Sequence, residues 1–201
     1  MKAPVIVVTG PIASGKTTVA KVIAGKEGVL VDCDKIGHQV INREEVKIRL
    51  TEYFGKDILD KSGRVVRKKL AEIAFSSPRM VAKLNRAVKP VLKREITSIV
   101  LSLREKSRYI VLDAVLFFKY KFRFKVDLVV VTMVSPEIRL KRLMRRDGVD
   151  EAHARKRIEI QSELEDDWDR ADYVVDTSRP LREVLDDAER IRKEFLARFL
   201  S

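Results

Sequence analysis

Ten residues near the start, Thr9-Gly10-Pro11-Ile12-Ala13-Ser14-Gly15-Lys16-Thr17-Thr18, constrain this chain more than any other stretch. They follow the aliphatic run Val5-Ile6-Val7-Val8 and precede an Ala/Val/Lys segment of helical character, so the local reading is strand, glycine loop, helix. Gly10, Gly15, Lys16 and Thr17 have the spacing of a phosphate-binding loop. Gly10 lets the chain turn out of the strand, and Gly15 lets backbone N–H groups approach phosphate oxygens. The first turn of the helix adds unpaired N–H groups and the positive end of its dipole. Lys16 is then placed to reach the outer phosphates, and the Thr17 hydroxyl to ligate a magnesium ion bridging them. With glycine at about 7% of residues, such a match arises by chance in roughly one chain of this length in a hundred. The loop from Gly10 to Thr18 is therefore expected to bind a nucleoside triphosphate.

The 201 residues suit one α/β domain with an insertion. No apolar run approaches the roughly 20 residues needed to cross a bilayer. Val5 to Val8 run straight into the loop, which leaves no room for a signal peptide core. The expectation is a soluble, cytoplasmic protein with no membrane partner. The single cysteine, Cys33, cannot form an internal disulfide and reads as a small buried residue. Lys and Arg number 42 against 30 acidic residues, and the net charge of +12 points to polyanionic partners, either nucleic acid or nucleotides and phosphorylated cofactors.

After the loop, residues 15–25 read as a helix, and Val29-Leu30-Val31 as a strand running into Asp32-Cys33-Asp34. Carboxylates at a strand's C-terminal end lie on the edge where open parallel sheets bind ligands. There, an acid can accept a proton from an attacking hydroxyl or help position a metal. Strand alternation predicts that Asp32 and Asp34 point the same way. Asp34-Lys35-Ile36-Gly37 also fits the Asp-x-x-Gly element of a GTPase switch, but no Asn-Lys-x-Asp guanine-reading element occurs.

Residues 35–105 lose strand character and show helical periodicity over 44–54, 65–75 and 79–104, the last interrupted at Pro90. Such a passage between parallel strands reads as a helical insertion over the ligand edge, suited to gripping a second substrate. Its basic residues include Arg64, Lys68, Lys69, Arg86, Lys89 and Lys93. Tyr109-Ile110-Val111-Leu112 forms a third strand and ends in Asp113, placed as a magnesium-coordinating or water-holding acid.

A fourth strand spans 127–134 and is almost wholly aliphatic, as expected when both faces are covered. Ser135-Pro136-Glu137 caps and starts the next helix. On that helix Arg139, Arg142 and Arg146 share a face, with Arg145 at its border, a stripe suited to a lid closing over phosphates. A charged helix over 151–165, a packing anchor at Trp168, a fifth strand over 171–176 and an amphipathic helix over 181–200 complete the chain. The last helix is expected to bury Leu185, Ala188, Ile191, Phe195 and Phe199.

These residues together resemble the dephospho-coenzyme A kinase family over nearly the whole chain. Beyond the loop, the likeness rests on Asp32 to His38, on Gly63-Arg64 followed by Leu70 to Phe75, and on Leu84-Asn85 through Pro90. It continues in Arg142-Leu143-Met144-Arg145-Arg146-Asp147-Gly148, Ala154-Arg155, Arg157-Ile158, Gln161 and Ala171-Asp172. The resemblance implies a P-loop kinase fold: an α/β protein with a five-stranded parallel sheet flanked by helices, a helical acceptor-binding insertion over about 35–105 and a lid over about 136–165. It implies ATP as phosphoryl donor with Mg²⁺, and dephospho-coenzyme A as the acceptor phosphorylated on its ribose 3′-hydroxyl. Asp34 is then the general base, Lys16 the clamp on the γ-phosphate, Arg142 and Arg146 the lid arginines, and Thr17 the magnesium ligand. Asp32, His38, Arg64, Leu84, Asn85 and Asp113 fall to the acceptor.

The chain departs from the family pattern at Ala114-Val115-Leu116-Phe117-Phe118, where a proline and an acid are lost. It departs again at Lys89, which replaces a histidine, and at Thr177-Ser178-Arg179, which replaces Asn-x-Gly near the adenine pocket. Two rival readings are another P-loop small-molecule or nucleotide kinase, and a nucleic-acid-dependent ATPase. The second needs basic residues interleaved with aromatics; only Tyr120-Lys121-Phe122-Arg123-Phe124-Lys125 has that pattern, and it reads better as a basic edge beside the acceptor site or lid. No nucleic-acid partner is expected, and the chain reads as a monomer.

Overall fold

The computed structural model describes residues 2–115, 117–162 and 168–200. In chain order the elements are β1 (Val5–Thr9), α1 (Lys16–Ala24), β2 (Gly28–Asp32), α2 (Cys33–Val40), α3 (Glu44–Phe54), α4 (Arg67–Ala74), α5 (Pro78–Leu103) and β3 (Tyr109–Asp113). There follow α6 (Phe117–Tyr120), β4 (Leu128–Met133), α7 (Pro136–Asp147), α8 (Glu151–Ser162), β5 (Tyr173–Asp176) and α9 (Leu181–Phe199). Short 3₁₀ turns occupy Lys56–Ile58 and Trp168–Arg170. Trp168, expected as a packing anchor, is half-buried in the second of these. Leu116 and the last three residues of the helix expected over 151–165 lie outside the described residues.

The five strands form one sheet in the order β2-β3-β1-β4-β5, every neighbouring pair parallel. This is the α/β sheet the aliphatic runs predict. Residues Val5 to Thr9 and Tyr109 to Asp113 are buried throughout, which is why their sequences read as unbroken apolar runs rather than alternating ones. Because all strands run the same way, their C-terminal ends share one edge. The register sets Asp32 of β2 beside Asp113 of β3, and Asp113 beside Val8 of β1.

On one face, α1 and α9 close the core. Ile6, Val8, Val19, Ala20, Ile23, Tyr109, Val111, Leu128, Val130, Val184, Ala188, Ile191 and Phe195 form one buried cluster. Tyr109 keeps its hydroxyl satisfied inside it by donating to the Ala24 carbonyl at 2.6 Å, an acceptor left over at the end of α1, while its ring packs 5.6 Å from that of Phe195.

The chain divides into two compact units, 1–33 with 98–201, and 34–97. In the second unit, Val46, Leu50, Ile58, Ala74 and Ala87 are among the buried residues. Its turn at Ser62-Gly63 is built on Asp60, whose carboxylate accepts from Ser62 N at 2.8 Å, Ser62 Oγ at 2.7 Å and Arg64 N at 3.0 Å. Those bonds hold the Asp60 carboxyl below its ordinary range, the Ser62 hydroxyl contributing most.

Three local expectations are corrected. Cys33 and Asp34 do not extend a strand. β2 ends at Asp32, and Asp34 sits in the first turn of α2, so strand alternation does not relate it to Asp32. Pro90 does not interrupt α5, which runs unbroken from Pro78 to Leu103. Pro90 and Arg86, whose carbonyl loses its intrahelical partner, are both exposed, so water can satisfy that acceptor. In α9 the buried stripe is Val184, Ala188, Ile191 and Phe195, with Leu185 and Phe199 only half-buried. Cys33, by contrast, is buried as expected.

Candidate active site

The phosphate loop leaves β1 at the C-terminal edge of the sheet and ends where α1 begins. Gly10 is required there for two reasons. Its φ is +142°, and a Cβ would stand 2.4 Å from the Thr132 carbonyl oxygen and 2.5 Å from the Thr132 hydroxyl. Gly15 differs, since its φ of +79° demands glycine while a Cβ would meet the Thr177 side chain at an ordinary 3.5 Å. Between them, Ala13 holds a left-handed φ of +61° that a residue with a side chain rarely adopts.

Neighbouring elements pin the loop on several sides. From β4, the Thr132 hydroxyl meets that of Ser14 at 2.6 Å and donates to the Thr9 carbonyl at 3.3 Å. From the end of β5, the buried Thr177 hydroxyl is shared between the carbonyls of Ser14, at 2.8 Å, and Met133, at 2.9 Å. From α7, Arg142 donates to the Thr177 hydroxyl at 3.1 Å and to its carbonyl at 2.8 Å. Arg139, itself buried, donates from Nε to the Ile12 carbonyl at 3.2 Å. From α8, the Gln161 side-chain oxygen accepts from Ile12 N at 2.5 Å.

Inside the loop, the buried Lys16 ammonium donates to the Pro11 carbonyl at 3.0 Å. Thr17 is exposed, and its hydroxyl donates to the buried Asp113 carboxylate at 2.6 Å. Among the described residues no group of three or more His, Cys, Asp or Glu could hold a metal ion. Magnesium needs no such cage, because one or two protein oxygens and substrate phosphates usually suffice for it. The hard oxygen donors of Thr17 and Asp113, adjacent at the mouth of the loop, fit that ion.

The residues singled out in the sequence fall into three groups. Lys16, Thr17, Asp113 and Arg142 gather around the loop, and Asp32 is brought beside Asp113 by the strand register. Arg146, the third of the arginine stripe, pairs with its neighbour Asp147 at 2.7 Å and is exposed. Asp34, His38, Arg64, Leu84 and Asn85 belong to the second unit, where Asp34, His38 and Arg64 are exposed and Leu84 and Asn85 half-buried on α5. Thr132 reaches the loop without any motif announcing it, Thr177 does so from a segment read only as a departure near the adenine pocket, and Arg139 of the arginine stripe bonds the loop backbone where the stripe was expected to meet phosphates.

α7 and α8 are tied together at Asp147, which also receives Arg157 of α8 at 2.8 Å. Burial pushes the Asp147 carboxyl up, but Arg146 and Arg157 outweigh it and hold the group below its usual range. In the basic aromatic stretch, the rings of Tyr120, Phe122 and Phe124 stack on one another, with successive centroids 5.5 and 5.1 Å apart. Their faces are thus turned to each other.

The parallel sheet with its phosphate loop, buried lysine and edge carboxylates defines a P-loop kinase fold. Among solved structures, shikimate kinase from Acinetobacter baumannii shares that fold, with a TM-score of 0.52 and 20% identity over 99% of this chain and 96% of that one. A dephospho-CoA kinase from Campylobacter jejuni superposes with a TM-score of 0.63, at 22% identity over 96% and 97% of the two chains. Residues 4–183 match the sequence profile of the family described as Dephospho-CoA kinase. A relative of that name from Corynebacterium diphtheriae is 37% identical over 197 residues, covering 97% of this chain and 96% of its own. This chain belongs to the dephospho-CoA kinase family.

Proposed function

We propose that the chain transfers the γ-phosphoryl group of ATP to the ribose 3′-hydroxyl of dephospho-coenzyme A, giving coenzyme A and ADP. The observation that carries this reading is the buried Lys16 ammonium inside the phosphate loop, with the Thr17–Asp113 pair beside it, in a chain of this family. Asp34 takes the proton of the 3′-hydroxyl as its oxygen attacks the γ-phosphorus in line. The bond from phosphorus to the β–γ bridging oxygen breaks, and ADP leaves. Lys16 holds negative charge on the outer phosphates, and Arg142 and Arg146 of the α7–α8 lid neutralise charge as it develops. Thr17, with the Asp113 carboxylate next to it, would hold Mg²⁺, which neutralises the phosphates of the donor when bound.

Asp32, His38, Arg64, Leu84 and Asn85 serve the acceptor in this scheme, while Asp113, which the resemblance gives to the acceptor, goes to the metal with Thr17. The 34–97 unit acts as its binding insertion, and the protein works as a cytoplasmic monomer. Across the described residues no helix is long and apolar enough to cross a membrane. The reading is tested by initial rates of ADP formation from Mg-ATP with dephospho-coenzyme A, with shikimate, or with no acceptor. Fast release only with dephospho-coenzyme A is expected, and equal rates in all three would overturn the assignment.

A further inference from the structure

Both peptide groups that flank Ile12 are held by side chains from α7 and α8. The Ile12 N–H donates to the Gln161 side-chain oxygen at 2.5 Å, and the Ile12 carbonyl accepts from Arg139 Nε at 3.2 Å. Arg139 Nη2 donates to the same Gln161 oxygen at 3.4 Å, which closes a triangle of Arg139, Gln161 and Ile12. In a planar trans peptide the C=O and N–H bonds point opposite ways. Drawing the Ile12 N–H toward Gln161 therefore turns the Pro11 carbonyl to the other side, where it accepts from Lys16 Nζ at 3.0 Å and from Ser14 N at 3.2 Å. Drawing the Ile12 carbonyl toward Arg139 likewise turns the Ala13 N–H away from α7. Ala13 itself, at φ +61°, holds a conformation that L-residues keep only when the surroundings impose it.

We infer that Arg139 and Gln161 are positioning residues for ATP binding: they latch Ile12, hold Ala13 in its left-handed conformation and fix the carbonyl that seats Lys16. Neither residue needs to touch the nucleotide to act this way. The same latch ties α7 and α8 to the loop. The inference rests on the reading of the loop as an ATP site, and the experiment separates the two.

The test is calorimetric titration of the full chain with Mg-ATP, alongside steady-state kinetics. Arg139→Ala and Gln161→Leu should each raise the ATP Kd about tenfold, the change that 1.4 kcal/mol produces, with the KM for dephospho-coenzyme A unchanged. Gln161→Glu keeps an acceptor for both Ile12 N–H and Arg139, and should stay within about threefold of the parent. Ala13→Gly supplies a residue that adopts the left-handed conformation without help. In that background the cost of Arg139→Ala should shrink from about tenfold to about threefold or less. Where Arg139→Ala does not fold, Arg139→Lys replaces it, since lysine keeps the charge but lacks the planar fork that reaches Ile12 and Gln161 together. Unchanged ATP affinity in the Arg139 and Gln161→Leu variants, or a full tenfold loss persisting beside Ala13→Gly, would overturn the latch while leaving the ATP site standing. Failure of the parent protein itself to bind Mg-ATP would overturn the site and the latch together.

Discussion

Replacing Gly10 by alanine isolates the most demanding position of the loop. The added Cβ would lie 2.4 Å from the carbonyl oxygen of Thr132 and 2.5 Å from its hydroxyl, both well inside van der Waals contact. Thr132 has little freedom to retreat. It sits in β4 in register with Val175 of β5, and its hydroxyl is engaged with Ser14 and Thr9. Overpacking of this kind costs about 1–3 kcal/mol, and forcing a φ of +142° on alanine adds about 1–2 kcal/mol more. For a chain of this size each kcal/mol lowers the Tm by about 2–4 °C, so Gly10→Ala should unfold about 10 °C below the parent. Gly15→Ala is the control. Its φ of +79° is strained but its Cβ has room, so a loss of about 1 kcal/mol and about 3 °C is expected. Thermal unfolding followed by circular dichroism at one pH and salt measures both. A Gly10→Ala protein within 2 °C of the parent, or a Gly15→Ala protein as damaged as Gly10→Ala, would refute the steric argument.

Lys16→Ala removes a buried, hydrogen-bonded cation from the loop; ATP affinity should fall about 10- to 100-fold and turnover with it, as read by titration with Mg-ATP and by ADP release. Asp34→Asn should lower kcat at least about 100-fold with ATP affinity nearly unchanged, and near-normal turnover would remove Asp34 as the base. Asp147, whose pKa is depressed in the fold, contributes stability that is complete above the unfolded value of about 3.9 and is lost as pH falls through its lower folded value. The Tm gap between the parent and Asp147→Asn should therefore be full at neutral pH and close in strong acid, and a gap that stays constant would contradict the pairing with Arg146 and Arg157.

The sheet and the loop were legible because their physics is local. A strand covered on both faces must be apolar throughout, and a chain wrapping a phosphate needs glycines and a lysine at fixed intervals. Ser135-Pro136 announces α7 for the same reason, since its hydroxyl does accept from Ile138 N, at 3.4 Å. What the sequence hid depends on distance or on phase. α2 escaped notice because Gly37 interrupts a short helix whose buried positions, Cys33 and Val40, are too few to show a period. In α9, Val184 and Leu185 are adjacent and both apolar, so only packing decides which one turns inward. Pro90 read as an interruption because sequence does not reveal that it faces solvent.

The supports of the loop were hidden more deeply. Thr177 lies 163 residues from Ser14, Gln161 lies 149 from Ile12, and Arg139 lies 127 from it. Each bonds a backbone group, which leaves no pattern of residue types to read. The arginine stripe was visible as a helix face, yet its members diverge. Arg139 turns into the loop, Arg142 clasps Thr177, and Arg146 pairs with the residue next to it. Spacing gave the face, and only the fold says what stands opposite each guanidinium.

The central claim is the transfer of one phosphoryl group to a particular oxygen, and the most direct measurement is the identity of the product. Protein, Mg-ATP and dephospho-coenzyme A are incubated, and the product is analysed by mass and by phosphorus NMR. The account predicts a single added phosphoryl group on the ribose 3′-oxygen, formed in step with ADP. ADP release without any phosphorylated acceptor, or a phosphate on any other position, would contradict it.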